Sequence, residues 1–93
     1  MIDLKKTKTS AMLIKADTTV EAITPKESEC FSLKELQDYV GGYIEILNLE
    51  NDYILVVDEE GRLKNKKLNK KASEFAGQPI VGDVVLCKSN MVC

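Results

Sequence analysis

The chain has 93 residues, of which 44% are hydrophobic and 30% charged, the balance of one small water-compatible domain with a thin core. Its 13 basic and 15 acidic residues leave a net charge of −2. That value excludes general electrostatic binding to nucleic acid and is too weak for a mimic of DNA.

The chain contains no histidine, so the commonest general base and the commonest transition-metal ligand are both missing. This argues against a conventional enzyme. Cys30, Cys87 and Cys93 are odd in number and lack CxxC spacing. They argue against a disulfide framework or a zinc site and fit a reducing cytoplasm. The polar, basic start leads into no apolar run, so no signal peptide is expected. No apolar stretch approaches membrane-spanning length.

In chain order, residues 1–10 carry Lys5, Lys6 and Lys8 and read as a loose arm. Residues 11–16 read as a strand, 17–19 as a turn, and 20–24 as a second strand ended by Pro25. The clearest local program follows. Ser32 and Glu35 stand in the S-x-x-E spacing of a capping box, in which the Ser32 hydroxyl accepts from the Glu35 N–H and the Glu35 carboxylate reaches back. Phe31 and Leu36 form the flanking hydrophobic staple. Leu33, Leu36 and Val40 share a helical face, and Gly41 is a left-handed stop after Val40. Gly42 then frees the backbone to turn.

Residues 43–49 read as a strand, with Ile44 and Ile46 on one face and Tyr43, Glu45 and Leu47 on the other. Residues 50–52 form a hairpin loop. Residues 53–57 are the most continuous β-type run and are expected at the centre of the sheet. Residues 58–61 form a tight turn with positive φ at Gly61, after which 62–64 pair briefly. Asn69 caps a short helix, Lys70 to Ala76, that Gly77 terminates. Residues 80–87 form a last strand, interrupted at Gly82 and Asp83, and 88–93 a loose tail. The expected architecture is α+β: one domain over 1–93, with an antiparallel or mixed sheet of about five strands and two short helices.

Several residues recur here in a recognisable order: Leu36-Gln37, 40–45 (VGGYIE), 58–63 (DEEGRL), Leu68-Asn69 with Ala72, and 82–84 (GDV). In this the chain, from about Ile14 to Val85, resembles a family of short uncharacterised proteins of phages, plasmids and bacteria, catalogued as a domain of unknown function. Leu68 replaces a proline that members often carry before the asparagine. The resemblance implies a phage or mobile-element accessory protein and supplies no activity. Small phage proteins of this size are often antagonists of host defence, either sponges for nucleotide signals or binders of host proteins. That is analogy at the level of a class.

Four groups of residues are candidates for chemistry. Asp58, Glu59 and Glu60, with Glu45 and Asp83, offer oxygen ligands for Mg²⁺ or Ca²⁺ or a general acid/base pair, but acids in a tight turn are ordinary turn chemistry. The basic run Arg62, Lys64, Lys66, Lys67, Lys70 and Lys71 offers charge to a phosphate, with Lys70 and Lys71 opening a helix. The plain alternative is a solvated face balancing nearby acids. Gly41 and Gly42 allow close backbone approach, although helix termination is the better explanation of them. The cysteines lack a histidine to activate them. Tyr39, Tyr43 and Tyr53 line a pocket or edge a small core.

The reading that follows is a non-catalytic, cytoplasmic, homo-oligomeric accessory protein without a cofactor. It captures a small anionic ligand, such as a nucleotide immune signal, through Gly41, Gly42, Arg62, Asn69, Lys70 and Lys71. The alternative is an inhibitor or adaptor that binds a host protein through a sheet edge or the acidic turn. A weaker alternative is a metal-dependent phosphodiesterase using Asp58, Glu60 and Asp83.

Overall fold

The computed structural model describes residues 11–26 and 29–93; the arm expected at 1–10 lies outside them. β1 (Ala11–Ile14) and β2 (Val20–Ile23) form a hairpin. Its turn is held by Asp17, whose Oδ1 accepts from the Thr19 N–H at 2.9 Å and the Thr19 hydroxyl at 2.6 Å. Helix α1 (Leu33–Val40) leads to a second hairpin, β3 (Ile44–Asn48) and β4 (Tyr53–Asp58), joined by a 3₁₀ turn at Glu50–Asp52. Helix α2 (Lys70–Ala76), β5 (Val84–Lys88) and a 3₁₀ turn at Ser89–Met91 complete the order.

The strands form one five-stranded sheet, β2-β1-β5-β4-β3, with every neighbouring pair antiparallel. The molecule is thus an α+β fold of five antiparallel strands and two helices. β5, rather than β4, takes the middle place. Both strands are apolar on both faces, and an unbroken apolar run signals burial without ranking two such strands.

Alternation along β4 divides the core. Ile54 and Val56 point into a cluster with Phe31, Leu36, Val40 and Met91, on the side α1 covers. Leu55 and Val57 point the other way, to Ala72 and Ile80 beside α2. β3 alternates as its sequence indicates, with Ile44 against the first cluster and Leu47 against the second.

Helix α1 starts and stops where its residues dictate. Ser32 Oγ accepts from the Glu35 N–H at 3.1 Å, and Gly41 closes the helix at φ 83°. The reciprocal half of the capping box is replaced: Glu35 Oε1 accepts from the Lys26 N–H at 3.4 Å. Leu36 and Val40 are buried, whereas Leu33, in the first turn, is 58% exposed.

Four local expectations are corrected. Gly61 does not take positive φ; it is buried, and a Cβ there would stand 2.9 Å from Val81 Cγ2, so the position needs space rather than handedness. Residues 62–64 continue the turn instead of pairing. The last strand begins only at Val84, because Gly82 turns at φ 78°. The tail is tied down: the Phe31 N–H donates to Met91 O at 2.6 Å, the Cys93 N–H donates to Phe31 O at 3.0 Å, and Met91 is buried.

The cysteines also depart from the sequence reading. Cys30 and Cys93, 63 positions apart, are joined in a disulfide across a Cα separation of 5.2 Å. Spacing alone does not reveal a pair that topology brings together. Cys87 stays a free thiol inside β5, and burial pushes its pKa up to about 11. Among the described residues no helix is long and apolar enough to cross a membrane.

Candidate functional site

Asn69 shows how a cap can become a junction. It precedes α2, and its Oδ1 accepts from the Ala72 N–H at 3.0 Å, as an N-cap should. Its Nδ2 donates to Ile14 O at 2.9 Å and to Gly82 O at 2.8 Å. The side chain is buried, and these bonds fasten the end of β1 and the approach to β5 to the start of α2. The Asn69 amide is thereby occupied with the fold. Asp83 works nearby, its Oδ1 accepting from the Ala16 N–H at 3.0 Å.

Asp58 is a second junction. Its side chain has no solvent exposure, and its Oδ2 lies 2.6 Å from Lys66 Nζ and 3.0 Å from Lys64 Nζ. Its Oδ1 accepts from the Glu60 N–H at 2.8 Å. The same ammonium groups donate to the end of α1, Lys66 to Val40 O at 2.7 Å and Lys64 to Gly41 O at 3.2 Å. Those carbonyls form the negative end of the helix, where cations are favoured. Burial pushes the Asp58 carboxyl up, but the hydrogen bonds from Lys66, the Glu60 N–H and Lys64 outweigh it and hold the pKa below the ordinary 3.8. Gly42 makes room for this arrangement, since a Cβ there would stand 2.5 Å from Lys64 Nζ.

The six residues proposed from sequence as ligand contacts are therefore not gathered in one place. Gly41 and Gly42 line a cavity of about 430 Å³ with Gln37, Asp38, Tyr43, Glu60 and Lys64. Arg62 lines a different one of about 310 Å³, beside Glu45, Pro79 and Ile80, and its Nη2 donates to Pro79 O at 3.1 Å. Asn69 is buried. Lys70 and Lys71 are exposed on the first turn of α2 and line neither cavity. The carboxylates are dispersed as well: among the described residues no group of three or more acidic or cysteine side chains is placed to hold a metal ion.

Sequence reasoning missed a larger hollow on the α2 face. α2 covers only part of that sheet face, and beside it lies a half-open groove of about 850 Å³. Met12, Leu49, Tyr53, Phe75, Ala76 and Leu86 form its apolar lining, with Asn48 and Glu50 at its polar part. Phe75 is 50% exposed. Lys88 Nζ sits 4.5 Å from the centre of the Tyr53 ring. Lys71 stands one turn before Phe75 on the same helix face. The available signal was Phe75 itself, an aromatic placed beside the buried Ala72 and the half-buried Ala76 on an otherwise polar short helix.

Fold and groove together define a small antiparallel α+β domain with one partly uncovered sheet face. The chain belongs to the family described as Domain of unknown function (DUF3846), whose model matches residues 8–91. No curated protein and no solved structure matches the chain.

Proposed function

We propose that the chain is a non-catalytic binding module that engages a protein segment in the groove beside α2. The setting is the one the sequence resemblance implies, a phage or mobile-element accessory protein acting on a host protein in the cytoplasm. The observation that carries the reading is the groove of about 850 Å³, lined about equally by polar and apolar surface, with Phe75 half exposed at its wall. Exposed apolar surface of this kind marks binding sites. Its basic neighbours, Lys71 and Lys88, select a partner whose apolar anchor is flanked by acidic residues. The groove takes over the role first given to a sheet edge or the acidic turn, because Asp58 is buried and neutralised by Lys64 and Lys66.

A second reading keeps the small anionic ligand, such as a nucleotide signal, at Lys70 and Lys71. It is favoured by the exposure of Lys70 and Lys71 on the first turn of α2, where an anion can reach them.

Native mass spectrometry separates the two. The full chain is incubated in host lysate and in its small-molecule fraction, beside Phe75→Ser and the Lys70→Ala/Lys71→Ala double variant. The expected result is a kilodalton-scale adduct that Phe75→Ser loses and the double variant retains at least in part. An adduct of a few hundred daltons, lost only in the double variant, establishes the anion reading instead. An adduct indifferent to both variants contradicts both. The same spectra read the oligomer size, expected above one because β2 and β3 leave two open sheet edges.

A further inference from the structure

We propose that the Cys30–Cys93 bridge is a redox-removable clasp that holds the C-terminal segment, 89–93, over Phe31. The segment follows β5, crosses to the α1 side of the sheet, and pairs with Phe31 in a parallel bridge at Val92. Besides the disulfide, two backbone hydrogen bonds to Phe31, the buried side chain of Met91 and the half-buried Val92, packed against the α1-side cluster, hold it. Phe31 beneath it is wholly buried and belongs to the main apolar cluster. The disulfide therefore bears on the short strap that follows β5 rather than on the interior of the sheet.

The bridge is also reachable. Cys93 is exposed and Cys30 half-buried, and a cavity of about 490 Å³, lined by Glu29, Cys30, Asn90 and Met91, opens beside it. Cys87, by contrast, is fully buried and inert to exchange. A dithiol reductant is the co-reactant. One of its thiolates attacks a sulfur of the bridge, the S–S bond breaks, and the other cysteine leaves as a thiolate that takes up a proton. The second thiol of the reductant then resolves the mixed disulfide. The dithiol leaves oxidised to its own disulfide, and two electrons and two protons have passed to Cys30 and Cys93. The strap, no longer tethered covalently to Cys30, opens and uncovers Phe31 and Met91. In a reducing compartment the open form prevails, and oxidation closes it. The clasp lies on the α1 side and the proposed binding groove on the α2 side, so either proposal can fail without the other.

The test combines thiol counting with amide hydrogen exchange on the full chain, before and after dithiothreitol. The unreduced chain, denatured, is expected to show one thiol, that of Cys87, and the reduced chain all three. Reduction should speed exchange at the Phe31 and Cys93 amides by about ten-fold or more and leave them nearly unprotected, while Val56 and Val85 in β4 and β5 stay protected even in the less stable reduced chain. Cys93→Ser should show the fast exchange without reductant and no response to it. Three thiols in the unreduced chain overturn the proposal, as does unaltered exchange at Phe31 after reduction. A Phe31 amide that stays as protected as Val56 and Val85 after reduction overturns it too, because the bridge then acts on the whole fold rather than on a strap.

Discussion

Asn69 and Asp58 each join segments far apart in sequence through one buried side chain. In Asn69→Ala the cap is lost and Ile14 O and Gly82 O lose a donor, which should cost about 3 kcal/mol in urea unfolding. Asn69→Asp keeps the cap acceptor but turns a carboxylate oxygen toward both carbonyls, so it should rescue little; full rescue would reduce Asn69 to a cap. Asp58→Asn should destabilise by about 2 kcal/mol at pH 7, below the cost of a fully buried pair because Lys64 and Lys66 are 39% and 23% exposed. The folded-state pKa of Asp58 is depressed, so this stabilisation is present above the unfolded value and fades as pH falls through the folded one. The gap between wild type and Asp58→Asn, followed by denaturation at several pH values, should therefore close below about pH 4. The cap of Asn69 was legible because its acceptor acts three residues away. The reach to Ile14, 55 residues back, was not, since local spacing carries no information about tertiary contact. Likewise the alternation of acids and lysines over 58–67 suggested charge balance, but gave no sign that Asp58 is wholly buried.

Helix α1 shows how far local rules extend at the scale of one element. Its cap, its stop and its buried face at Leu36 and Val40 follow from 31–42 alone. What the sequence leaves out is that its last carbonyls are satisfied by Lys64 and Lys66 from a later turn. Gly42→Ala probes that contact. Its new Cβ would meet Lys64 Nζ at 2.5 Å, at the far end of a flexible side chain, so Lys64 should swing out and leave Asp58 to Lys66. The expected loss is about 1 kcal/mol by urea unfolding, and it should be much smaller in an Asp58→Asn background, where the displaced pair is already gone. Additive losses would mean that Gly42 acts on the backbone instead. The groove face of α2 was the least legible part. Whether Phe75 is covered depends on where β3, β4 and β5 lie relative to a helix only Lys70–Ala76 long.

For the whole molecule, topology decides what periodicity cannot: β5 is central, Cys30 meets Cys93, and one sheet face stays partly open. A bridge closing 63 residues constrains the unfolded chain, and a loop of that size corresponds to about 4 kcal/mol in the chain-entropy account. Calorimetry should therefore show a melting temperature lower by about 10 °C or more after reduction, and no such drop in Cys93→Ser, which already lacks the bridge. The α1 face is closed by that bridge, by α1 and by the strap, while on the α2 face Phe75 is exposed and Tyr53 and Met12 are half-buried at the groove proposed as the binding site. Chemical-shift mapping of the full chain tests this asymmetry most directly, using a short peptide with a central Leu-Phe pair flanked by glutamates and a control flanked by lysines. The account predicts that the glutamate peptide alone shifts the Met12 and Leu86 methyl and Phe75 ring signals, and that Phe75→Ser abolishes the effect. Shifts confined to the α1 face, or equal shifts from the lysine peptide, would contradict it.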